Sequence, residues 1–149
     1  MFVNWIIKSL VCRLLIVAAM DQYRPLIHYT PKSNWMNDPN GLVFYDGEWH
    51  LFYQHYPREA KAKNIHWGHA VSQDLVRWKE LSIALIPEDE LIGLWSGSAV
   101  IDWKNQTGVQ LDSSIDPMIA IFTWQKRGWQ EQHMAFSLDR GESLLNSNV

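Results

Sequence analysis

Residues 42–54 constrain the fold more than any other stretch of this chain. Leu42-Val43-Phe44-Tyr45 and Glu48-Trp49-His50-Leu51-Phe52-Tyr53-Gln54 are two aromatic and branched runs separated by Asp46-Gly47. Asp-Gly supplies the positive φ angles of a two-residue primed turn, so the segment is expected to be a β-hairpin. Similar runs follow at His66 to Val71, Val76 to Lys79, Gly97 to Asp102, Met118 to Trp124 and Gln130 to Ser137, with a polar turn at Ser72-Gln73-Asp74. Helical periodicity is scarce after Met20. Regularly spaced short strands imply an all-β sandwich, barrel or propeller, and periodicity does not choose among them.

A chain of 149 residues fits one domain with a sizeable core. Thirteen basic against sixteen acidic residues give a formal charge of −3, which argues against a nucleic-acid partner. Nine Trp, five Tyr and five Phe supply core volume, and the Trp and Tyr could equally offer flat faces to sugar rings. No internal repeat is evident on a scan. Residues 1–20 stand apart, with Lys8, Arg13 and a short apolar run from Leu14 to Met20. Lys8 and Arg13 interrupt any membrane span, so no firm membrane association is expected. Three readings of the segment stand: a secretory leader with Val17-Ala18-Ala19 as its cleavage site, an extraneous stretch before an internal start at Met20, or a retained short helix. The chain would be secreted in the first case and cytoplasmic otherwise. The single cysteine, Cys12, forms no disulfide within the chain.

The segment Trp35-Met36-Asn37-Asp38-Pro39-Asn40-Gly41 gathers an aromatic, amides and a carboxylate, and is expected as a turn just before the first hairpin strand. Pro39 disfavours helical torsions at Asp38, and Gly41 permits a sharp entry into the strand. A carboxylate held this stiffly, ionised at neutral pH, can serve as nucleophile or base. The same residues also make ordinary turns for conformational reasons alone. His66 and His69 fall on opposite faces of a strand, and His50 and His55 likewise, so no metal site is expected. No phosphate loop or dinucleotide fingerprint is present, and no cofactor is called for. Asp74 is read as organising its turn.

Tyr23-Arg24-Pro25, His28, Thr30-Pro31 and Trp35 to Gly41 together resemble the opening of glycoside hydrolase family 32, the levanases, exo-inulinases and invertases. The resemblance continues through Phe52-Tyr53-Gln54, His66 to Ser72, Asp74-Leu75, Trp78 and Trp95-Ser96-Gly97-Ser98-Ala99-Val100. It ends near Ser137 to Gly141, so it covers residues 21 to 141 in order and spacing. It implies part of a five-bladed β-propeller, about its first two blades, that cleaves β-fructosides with retention. By the same resemblance Asp38 matches the catalytic nucleophile. Asn37 and Gln54 match groups that grip the terminal fructosyl unit, and Trp35, Trp95 and Ser96 line its pocket. A fructan or sucrose is the implied substrate.

Two departures stand out. Ala62-Lys63 occupies the place of a Trp-Gly pair, which removes one aromatic wall of the sugar pocket, and His55-Tyr56-Pro57 replaces Tyr-Asn-Pro. The family's Arg-Asp-Pro motif and its acid/base Glu, followed by Cys, have no counterpart here. Asp116-Pro117 follows Ile115 and reads as a turn. Glu48, Glu80, Glu88, Glu90, Glu131 and Glu142 lie in no motif that supplies an acid. Residues 142–149 diverge, as a shifted frame or a shortened gene would. The expectation is therefore a truncated fructosidase, inactive alone and prone to self-association through exposed blade edges. The alternatives are a non-catalytic carbohydrate-binding remnant and an all-β domain with coincidental motifs.

Overall fold

The computed structural model describes residues 23–146, so the leader or helix considered for residues 1–20 lies outside the described residues. The chain divides into two units, Met1–Thr30 and Pro31–Val149. In the first, residues 23–30 carry no strand or helix, and Arg24 Nη1 donates to Thr30 Oγ1 at 2.6 Å.

The second unit is all-β, as expected. Strands β1 (Trp35–Tyr45), β2 (Glu48–Tyr56), β3 (His66–Ser72) and β4 (Lys79–Glu80) form one antiparallel sheet in sequence order. Strands β5 (Ile92–Ile101), β6 (Met118–Lys126), β7 (Trp129–Ser137) and β8 (Leu145–Asn146) form a second with the same meander. Asp46 and Gly47 both have positive φ, 48° and 88°, which is the primed turn expected between β1 and β2. Arg127 and Gly128 repeat this between β6 and β7.

The two sheets share a local motif that the sequence scan missed. Ala70-Val71-Ser72-Gln73-Asp74 closes β3, and Ala135-Phe136-Ser137-Leu138-Asp139 closes β7. In each, the serine hydroxyl donates to the aspartate, at 3.1 Å and 2.6 Å, and the aspartate accepts backbone N–H groups just beyond. The residue after each aspartate is left-handed: Leu75 and Arg140 both have φ of 60°. Asp74 thus organises its turn, and the hydrogen bonds from Arg77 and Val76 hold its carboxyl below the usual range. This turn occupies residues 74–77, which is why β4 is confined to Lys79–Glu80 rather than starting at Val76.

Between the sheets lies one core of Phe52, Trp67, Leu85, Leu94, Met118, Ala120 and Phe122. Each large side chain there contributes roughly 1.5–3 kcal/mol by leaving water. The Trp67 and Phe122 rings, 5.9 Å apart, join the two sheets. Strands β1 and β5 run close: a Cβ on Gly41 would stand 2.8 Å from the Ala99 Cβ, and Gly41 has φ of 45°. Glycine is required there on both counts.

Strand parity separates His66 from His69, but cross-strand register brings His50 to His69. Their Nδ1 and Nε2 atoms are 3.1 Å apart, both rings are buried, and Phe52 stacks on His69 at 4.4 Å. Burial, followed by the neighbouring His50, lowers the His69 pKa to about 3, and burial lowers that of His50 against the opposing pull of Glu48. Both rings are therefore neutral when folded, whereas the unfolded chain takes up protons below about pH 6.5. Stability is full above that pH and is lost as the pH falls toward the folded value, by up to about 1.4 kcal/mol per unit per histidine. Urea midpoints should fall between pH 7 and pH 4.5, and His69→Gln should flatten the dependence. A midpoint independent of pH over that range would contradict this account.

Candidate active site

The Asn-Asp-Pro-Asn-Gly run is not a turn ahead of β1; it lies inside the strand. The β1–β2 register slips twice, between Met36 and Pro39 and between Asn40 and Val43. Pro39 has no N–H for the ladder, and the left-handed Gly41 absorbs the second slip. Across the two slips Asn37, Asp38 and Pro39 are exposed while Asn40 and Gly41 are buried. Strand β5 carries a matching irregularity between Leu94 and Gly97, which frees Trp95 and Ser96 from regular pairing. Bulges of this kind re-aim side chains.

Both bulges open on one cleft of about 430 Å³. All six site residues singled out from the sequence line it: Trp35, Asn37, Asp38, Gln54, Trp95 and Ser96. Ser96 Oγ donates to Asp38 Oδ2 at 2.9 Å, which steadies the carboxylate and leaves Oδ1 to the cleft. Trp35 Nε1 donates to Asn37 Oδ1 at 2.7 Å, and Gln54 Nε2 donates to the Leu94 carbonyl at 3.1 Å. Trp95 is 39% exposed, so an indole face is open to a ligand.

Three further residues, Ala62, Ile65 and Thr123, complete the lining. Ala62, where the sequence lacks the Trp of a Trp-Gly pair, lies on this cleft. Sequence reasoning gave no signal for Ile65 or Thr123, whose places depend on loop path and on the pairing of β6 with β5. Among the described residues, Asp38 is the one carboxylate in the lining. Glu48 borders a separate depression of about 510 Å³, which contains none of the six candidates. Glu90 pairs with Arg58, and Glu131 with His133. Asp116 stands just before β6, outside the cleft lining.

A cleft with one stiff carboxylate, amides and indole faces suits a sugar ring, and comparison with known proteins identifies the setting. The model of the glycosyl hydrolases family 32 N-terminal domain matches residues 28–148. The chain belongs to family 32. It is 50% identical to the levanase of Bacillus subtilis over 123 residues, covering 83% of this chain and 18% of that protein. To an invertase of Schwanniomyces occidentalis it is 48% identical over 134 residues, covering 85% of this chain and 25% of the invertase. Among solved structures, the β-fructofuranosidase of Schwanniomyces occidentalis complexed with fructosyl-erythritol superposes with a TM-score of 0.78 at 45% identity, over 84% of this chain and 25% of that one. The exo-inulinase of Aspergillus awamori gives 0.79 at 37% identity, over 85% and 28%. The two sheets are thus blades of the family 32 five-bladed propeller, and the chain spans between 18% and 28% of these relatives' length. The match through residue 148 takes in the stretch read as divergent, where β8 pairs with β7.

Proposed function

We propose that this chain is the nucleophile-bearing part of a retaining β-fructosidase acting on levan, inulin or sucrose. The observation that carries the reading is Asp38, the one carboxylate of the cleft, set by Ser96 among amide and indole groups in a family 32 chain. Asp38 Oδ1 attacks the anomeric carbon of the terminal fructosyl unit as the bond to the leaving oxygen breaks. The leaving oxygen takes its proton from a second carboxyl group, which a retaining enzyme holds about 5–5.5 Å from the first. Water then cleaves the fructosyl ester, assisted by that same group as base, and two inversions return the original configuration. Asn37 and Gln54 hold the ring hydroxyls, and Trp35 and Trp95 flank the ring.

Among the described residues no second carboxyl group lines this cleft, which favours a second reading of the chain by itself: it binds a fructosyl unit without cleaving it. The test is fructose release by the complete enzyme and its Asp38→Asn variant, with the chain alone assayed beside them. Loss of release in the variant supports the reading; release that ignores Asp38 contradicts it.

A further inference from the structure

Asn40 is the buried amide of the Asn-Asp-Pro-Asn-Gly run, only 2% exposed. It does not line the cleft; it lies beneath it, between two donors. With Oδ1 toward them it accepts from Gln54 Nε2 at 2.8 Å and from Trp67 Nε1 at 3.3 Å, while its Nδ2 donates to the Pro39 carbonyl at 3.2 Å. The opposite orientation would set donors against donors and an acceptor against an acceptor, so hydrogen bonding selects the first.

That choice dictates what Gln54 can offer a ligand. Its Nε2 has two hydrogens; one goes to the Leu94 carbonyl at 3.1 Å and the other to Asn40. Only Oε1 remains, and Gln54 lines the cleft. Asn37 is set the opposite way. Its Oδ1 takes the Trp35 indole hydrogen at 2.7 Å, which leaves the Nδ2 hydrogens for the cleft. Trp67 Nε1 also reaches the Trp95 carbonyl at 3.1 Å, so the network beneath the cleft ties β1, β2 and β3 to the backbone of β5.

The geometry points to Asn40 as a positioning residue that locks Gln54 with its oxygen toward the cleft, so that Gln54 reads one sugar hydroxyl by its hydrogen. The assignment rests on the β-fructoside reading and adds to it the polarity of recognition. A hydroxyl that must donate is distinguishable from one that must accept. Fluorine in its place accepts weakly and cannot donate, and hydrogen in its place does neither.

The test is sugar binding by the 149-residue chain, followed by saturation-transfer NMR, which works on large particles as well as small. The probes are methyl β-fructofuranoside and its singly deoxygenated and singly fluorinated analogues. At one hydroxyl, the fluoro and deoxy analogues should bind equally poorly, each about tenfold weaker than the parent. Asn40→Leu, which removes the acceptor beneath Gln54, should erase that discrimination. Asn40→Asp keeps an acceptor facing Gln54 and Trp67, and with its second oxygen protonated it also donates to the Pro39 carbonyl, so it should retain the discrimination. If the leucine variant fails to fold, the comparison of analogues on the unmodified chain and on Asn40→Asp decides. A fluoro analogue that binds like the parent at every hydroxyl overturns the assignment, as does a folded Asn40→Leu chain with unchanged discrimination. Failure of the parent glycoside to bind at all would instead overturn the reading that the chain by itself binds a fructosyl unit, and the assignment with it.

Discussion

Asp38→Asn in the complete enzyme should lower fructose release from sucrose, inulin or levan by on the order of 10⁴–10⁶-fold, the scale seen when a covalent nucleophile is removed. The amide has nearly the volume of the carboxylate, and its oxygen can still accept the Ser96 hydroxyl that now reaches Asp38 Oδ2 at 2.9 Å. What disappears is the negative charge and the lone pair that forms the fructosyl ester. Asp38 is exposed, so stability should change by no more than about 0.5 kcal/mol. The loss should therefore appear in kcat with the unfolding midpoint unmoved. A variant that folds normally and keeps near-normal turnover would remove Asp38 from the role.

The 149-residue chain made alone should release no measurable fructose from any of the three substrates. Its cleft presents one carboxylate, and without a second the leaving oxygen departs unprotonated. General acid catalysis typically contributes 10²–10⁴-fold, and each missing donor to the developing charge removes a further 10²–10³-fold or so. The same chain should self-associate. Pairing of Ile121 with Met134 and of Phe136 with Leu145 puts these residues and Val100 on the sheet face opposite the core. Val100, Ile121 and Leu145 are each about half exposed, so this face is an apolar patch of the kind that seeks a partner. Light scattering should show oligomers. A monodisperse monomer would contradict the association, and fructose release that depends on Asp38 would contradict the catalytic argument.

Much of this was legible in the sequence because the signals were local. Asp46-Gly47 announces its turn through backbone torsion alone, and the aromatic and branched runs on either side favour strands. The six residues were found through motif resemblance, and all of them line one cleft. What was not legible depends on pairing. The Asn-Asp-Pro-Asn-Gly run reads as a turn by composition, yet pairing with β2 draws it into a strand as a double bulge. Strand parity separates His66 from His69, but the pairing of β2 with β3 that makes His50 and His69 diagonal neighbours is written in neither strand alone. Asn40 looked like one more turn residue; its hold on Gln54 and Trp67 exists only once three strands and the start of β5 are assembled. The repeated Ala-x-Ser-x-Asp closing β3 and β7 was visible in the letters, but too short to stand out without the shared hydrogen bonds.

The most direct measurement is mass spectrometry of the complete enzyme quenched in acid during turnover of a fructoside with a good leaving group, followed by peptic digestion. The account predicts one fructosyl unit esterified to the peptide that contains Asp38, and none in the Asp38→Asn variant. A fructosyl unit on any other carboxylate, or its appearance in that variant, would contradict it.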